Sequence, residues 1–184
     1  MKKITFSIAL SVITLASVAQ KTVLVNGGRY GNQAENVTVS VYDTQTGVST
    51  TIDTIQTQSV QDVLVDGNIA FVAAQDSIVR YNLSNNTRTA AVKFAGASTK
   101  SLALAANNEL IVSNWYGRTS NNVYIYNQTT LNLLDSINIP SGVTSMLVVP
   151  ANDLLIVNQN QSTGAPNYQD TLGSIIAATI SNRT

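Results

Sequence analysis

The 184-residue sequence contains no histidine and no cysteine. Without histidine, these residues cannot build a Ser-His-Asp or Cys-His nucleophile system, nor a His-ligated zinc, copper or haem site. Without cysteine, no disulfide can staple the fold and no N-terminal thiol can carry a lipid. Stability must come from burial and backbone hydrogen bonding. Charge is scarce as well: 10 Lys and Arg face 10 Asp and Glu, together 11% of the chain. With no basic run, the clustered cations that a nucleic-acid partner or an anionic membrane surface would require are missing. Beyond the N-terminus every apolar run is interrupted within about eight residues, whereas a membrane-spanning helix needs about 20.

The one apolar stretch that stands out is at the start. Lys2 and Lys3 precede a mostly apolar segment over residues 4–16, and the small residues Ser17 and Ala19 follow. That order of charge, apolar core and small residues is the pattern of a secretory signal peptide, with cleavage expected after Ala19. Residues 1–19 are therefore read as a leader and 20–184 as the folded domain, giving an exported chain that is periplasmic, on the cell surface or secreted. Removing Lys2 and Lys3 leaves eight Lys and Arg against ten Asp and Glu, a balance of about −2. Asn, Gln, Ser and Thr take the place of charge, as suits β-structure with Thr-rich strand surfaces and Asn- and Gly-rich turns.

Periodicity is of two residues throughout: Val37, Val39 and Val41 alternate with Thr38, Ser40 and Tyr42, a strand with one buried face. Residues 59–74, 99–114 and 143–158 each read as apolar strand, polar turn, apolar strand. They end at Ala74, Asn114 and Asn158, at spacings of 40 and 44 residues. A third strand carries a recurring tyrosine (Tyr42, Tyr81, Tyr126) that runs into a polar turn, and a fourth follows over residues 49–55, 89–94 and 133–139. Four short strands every 40–45 residues is the signature of a β-propeller blade. The predicted fold is all-β: antiparallel four-stranded blades covering roughly residues 20–57, 58–97, 98–141 and 142–184. Such a blade cannot bury both faces alone and must stack on its neighbours. The repeated tyrosines are expected to pack between blades.

The stretch Val41-Tyr42-Asp43-Thr44-Gln45-Thr46-Gly47, followed by a Thr-rich strand, resembles the repeat of YVTN-type, YncE-like propellers. That resemblance implies a seven-bladed ring, export or surface display, and no catalysis. The leader ending at Ala19-Gln20 and the cysteine-free, Asn-rich composition are also similar to surface proteins of the Bacteroidetes. The ends depart from the repeat: residues 21–26 align with a second strand and 174–180 with a third. Four partial blades do not close a ring, and open blade faces expose apolar surface and unpaired strands. The expectation is either a fragment of a longer reading frame or a half-propeller that closes by self-association.

Candidate sites are few. Asp43, Asp66 and Asp153 lie in predicted turns, where Asp caps backbone amides, and no facing carboxylate pair or dense acidic loop suggests a glycosidase or a calcium site. Catalytic residues, a metal and a cofactor are all assigned as none. Aromatic and arginine residues instead gather in one loop type, between second and third strands. Arg29 and Tyr30 fall in residues 27–35, Trp115, Tyr116 and Arg118 in 115–121, and Tyr168 in 159–171. Homologous propeller loops emerge on one rim, and Tyr, Trp and Arg are the residues richest in binding energy. These six are the candidate ligand-binding residues of a non-catalytic scaffold for a protein, peptide or glycan. Alternatives are a lactonase-like hydrolase or quinoprotein-related dehydrogenase with ligands outside this stretch, or a structural adhesion module.

Overall fold

The computed structural model describes residues 21–29, 31–94, 98–116, 123–139, 143–149, 153–162 and 170–182. The predicted leader, 1–19, lies outside them. The described residues form antiparallel strands, with no helix among them. Blade 1 contains β1 (Lys21–Asn26), β2 (Val37–Asp43) and β3 (Val48–Ile55). Blade 2 runs β4 (Asp62–Asp66), β5 (Ile69–Ala74), β6 (Ser77–Asn82) and β7 (Thr87–Lys93). Blade 3 repeats that order with β8 (Ser98–Ala105), β9 (Glu109–Tyr116), β10 (Val123–Asn127) and β11 (Leu133–Ile137). Blade 4 has β12 (Val143–Val149), β13 (Leu154–Ser162) and β14 (Asp170–Thr179). As the sequence alignment requires, β1 pairs with β2 as β5 pairs with β6, so β1 stands in the second-strand position.

Tight turns are made where the chemistry allows. Gly67 turns β4 into β5 at φ 54°, and Asn107 and Asn108 turn β8 into β9 at φ 61°. Glycine and asparagine tolerate this left-handed region at the lowest cost.

Blades 2 and 3 are apolar on both faces, and the strand period sorts residues between them. Ala70, Val72 and Ala74 of β5 meet Val37, Val39 and Val41 of blade 1, while the intervening Phe71 and Ala73 meet Leu102, Leu110 and Val112 of blade 3. Ile111, on the opposite face of β9 from Leu110, joins Val143, Leu155 and Val157 of blade 4. Three separate cores thus lie between four blades. Strands β4, β8 and β12 approach one another in succession, as first strands do around a common axis.

Tyr81 and Tyr126 are buried between blades, as their repeat position predicts. Tyr42 is only half-buried, because it alternates with Val37, Val39 and Val41 and so points to the free face of blade 1. The two free faces differ in chemistry. On blade 1 the residues out of phase with the core include Thr22, Leu24, Asn26, Thr38 and Ser40, mostly polar. On blade 4 they include Leu147, Val149, Ile156, Ile175 and Ala177, and Ile175 is 80% exposed.

Candidate binding rim

Second strands β1, β5, β9 and β13 all run in the same sense, so the connections that leave them open onto one rim. The β1–β2 connection, residues 27–36, is pinched at its neck. A Cβ on Gly28 would meet the carbonyl oxygen of Glu35 at 1.9 Å, so only glycine lets the two legs close. Within the loop, Asn32 N–H donates to the Arg29 carbonyl at 2.9 Å and Asn32 Nδ2 donates to Glu35 Oε1 at 2.8 Å. Gly31, at φ 83°, donates its N–H to Gln58 Oε1 at 3.0 Å, tying the loop to the chain that returns from β3 to β4.

Of the six candidate residues, Arg29 is exposed in this loop. Trp115 and Tyr116 prove not to be loop residues: they occupy the last two positions of β9, where Tyr116 pairs with Ser98. The ladder to β8 carries the strand past the polar Asn114 at which local composition suggests a stop. Likewise β13 continues through Gln159 to Ser162, which pairs with Asp170, so the connection is shorter than the predicted 159–171. Tyr30, Arg118 and Tyr168 lie outside the described residues.

The rim carries an open cavity of about 390 Å³ at the seam between blades 1 and 2. Gln33 and Asn36 of the β1–β2 loop form one wall, and Gln56, Thr57 and Gln58 of the β3–β4 connection another. Blade 2 closes it with Gln75 and Asp76 from the β5–β6 turn and Lys93 at the end of β7. Lys93 Nζ lies 3.2 Å from Asp76 Oδ2, so the charges of these two lining residues offset each other. A second cavity, about 250 Å³, shares Gln56 and Lys93 and extends along the seam past Ile55, Val79 and Val92. The sequence reading missed these carboxamides. The one local signal was the clustering of Gln56 and Gln58 around Thr57.

Below the rim, two carboxylates carried on strands serve as pins between blades. Asp53 of β3 accepts from Tyr81 Oη at 2.6 Å and from Arg88 Nε at 2.7 Å, both in blade 2. Burial first, and then the hydrogen bond and charge of Asp53, push the Tyr81 phenol far above the ordinary tyrosine range. Asp62 of β4 accepts from the Leu102 N–H of blade 3 at 2.7 Å. Asp43 and Asp153 do cap turns as predicted, through the N–H groups of Gln45 and Ser181. These groups are committed to structure. Among the described residues no three Asp or Glu converge in a way that could hold a metal ion.

No protein-family model matches the chain, and no curated protein matches it in sequence. Solved structures do. The chain superposes on the hydrazine synthase of Kuenenia stuttgartiensis with a TM-score of 0.60 at 16% identity, covering 79% of this chain and 41% of that one. It superposes on the dihydro-heme d1 dehydrogenase NirN with a TM-score of 0.58 at 17% identity, covering 84% and 34%. Both are β-propeller proteins. The fold is a β-propeller. A computationally designed protein, Ika8, matches at a TM-score of 0.57 and 14% identity, covering 82% of this chain and 45% of that one. The chain thus spans less than half the length of each of these three. At such identities the likeness carries the fold and leaves the chemistry to the site.

Proposed function

We propose that the chain is an exported, YVTN-type propeller with a non-catalytic role, presenting its second-to-third-strand rim to an extracellular protein, peptide or glycan. One observation carries this reading: the β1–β2 loop, the β5–β6 turn and the β3–β4 connection converge on an open, polar cavity at that rim. Rigid blades hold it, since its walls spring from strands whose apolar residues are almost fully buried. Arg29 stands on the same rim, and the backbone of β9 brings Trp115 and Tyr116 to that end of blade 3. Enzymatic roles belong to the two natural proteins named above and rest on their own residues. The acids described here are drawn into blade seams and turns.

The test is binding to peptide and glycan arrays by the protein and by Trp115→Ala and Arg118→Ala. Loss of a bound ligand in either variant, with an unchanged circular-dichroism spectrum, supports the rim. Binding unaltered in both would remove it as the interaction face.

A further inference from the structure

The cavity between blades 1 and 2 has a chemistry more specific than a polar cleft. A backbone N–H can only donate, so it fixes which end of a carboxamide faces it. Gly31 N–H points to Gln58 Oε1 at 3.0 Å, and Gln58 N–H points to Gln75 Oε1 at 3.2 Å. Each amide oxygen is thereby engaged, and the Nε2 donors of Gln58 and Gln75 make no hydrogen bond among the described residues. Gln56 follows the same pattern, its Oε1 accepting from Asn36 Nδ2 at 3.2 Å. That bond leaves Asn36 Oδ1 as a free acceptor in the same lining. The hydroxyl of Thr57, a residue only 6% exposed, has no hydrogen-bond partner, a state that buried polar groups rarely keep.

Gln75 also holds a backbone conformation that glutamine disfavours. It turns β5 into β6 at φ 53°, as Leu131 and Asp153 do in later hairpins, where other turns use Asn86, Asn107, Asn108, Gly47 or Gly67. From that left-handed position Gln75 lines the cavity together with Asp76 of the same turn.

We infer that this cavity binds a neutral saccharide, held by the carboxamides of Gln56, Gln58 and Gln75. This rests on the rim reading above and gives it a ligand class. Sugar hydroxyls donate and accept at once, which matches fixed amide donors set beside free oxygen acceptors. The offset Asp76–Lys93 pair adds hydrogen-bonding groups without selecting a charged ligand. The volume of about 390 Å³ is that of a small-ligand site. Beside the adjoining cavity the half-buried Val92 offers an apolar surface for the C–H face of a second ring.

The experiment is saturation-transfer NMR and calorimetry on the purified protein with glucose, galactose, N-acetylglucosamine and cellobiose. Glucuronate and a neutral tetrapeptide serve as comparisons. At least one neutral saccharide should bind, and Gln75→Gly and Gln56→Ala should each weaken it at least tenfold. The Gln75→Gly protein should unfold at a temperature equal to or above that of the parent, because glycine relieves the turn. Saccharide binding that survives both variants would overturn the cavity as the site, and so would preference for glucuronate or the peptide. If no saccharide binds while an array ligand is still lost in Trp115→Ala, the inference falls and the rim stands. If no array ligand responds to Trp115→Ala or Arg118→Ala, the rim reading itself has failed.

Discussion

Tyr81 donates its phenolic O–H to Asp53 Oδ2 at 2.6 Å across the seam between blades 1 and 2, and Arg88 Nε reaches the same oxygen at 2.7 Å. One carboxylate oxygen therefore joins two strands of blade 2 to the outer strand of blade 1. Losing the acceptor should hurt more than losing one donor. Tyr81→Phe removes a single bond and should cost about 1–2 kcal/mol, whereas Asp53→Ala strands a buried phenol and an arginine and should cost more. Urea unfolding of the two variants checks the order, and equal losses would mean that Asp53 does not join the blades.

The same pair sets an alkaline limit. The folded state holds the Tyr81 proton to a higher pH than the unfolded chain, which releases it near pH 10. The unfolded state then binds fewer protons, so the stabilisation is fully present below about pH 10 and declines above it. One proton corresponds to about 1.4 kcal/mol per pH unit. Unfolding free energies at about pH 9, 10 and 11 should fall more steeply by that amount in the parent than in Tyr81→Phe. Parallel curves would show that the phenol titrates as if exposed.

The seams should be far more sensitive than exposed positions on the first strands. Phe71 is fully buried between blades 2 and 3, whereas Val65 in the next strand is 51% exposed. Phe71→Ala should lose about 3–5 kcal/mol. Val65→Ala should stay within about 0.5 kcal/mol. Thermal unfolding of both variants measures the contrast.

Gly28 should behave as a local hinge pin of the binding loop. Alanine there would drive its Cβ onto the Glu35 carbonyl, opening the neck of residues 27–36 and displacing Gln33 and Asn36. Gly28→Ala should abolish ligand binding at the rim while costing about 1–3 kcal/mol in stability. Proteolysis that cuts selectively within residues 27–36 would report the opened loop.

The apolar free face of blade 4 should favour association in solution. Ile175→Asp, at a site 80% exposed, should leave the unfolding midpoint nearly unchanged and lower the mass seen by light scattering at high concentration. The polar free face of blade 1 offers an internal control, since Thr22→Asp should have little effect on that mass.

The sequence by itself determined the strand order, the two-residue period and the repeat. From these follow the fold class, the second-strand position of β1 and the burial of Tyr81 and Tyr126 between blades. Those features are local: each strand declares its faces through alternating residues, and several turns declare themselves through Asn or Gly. Only the tertiary structure decided where strands stop and which polar groups meet. β9 runs on through Trp115 and Tyr116 because β8 supplies ladder partners, which no local pattern records. Asp53 meets Tyr81 and Arg88, and Gln58 meets Gln75, because adjacent blades bring together residues 17 to 35 positions apart. Such meetings depend on the stacking of one sheet against the next, a relation set by packing rather than by any stretch of chain.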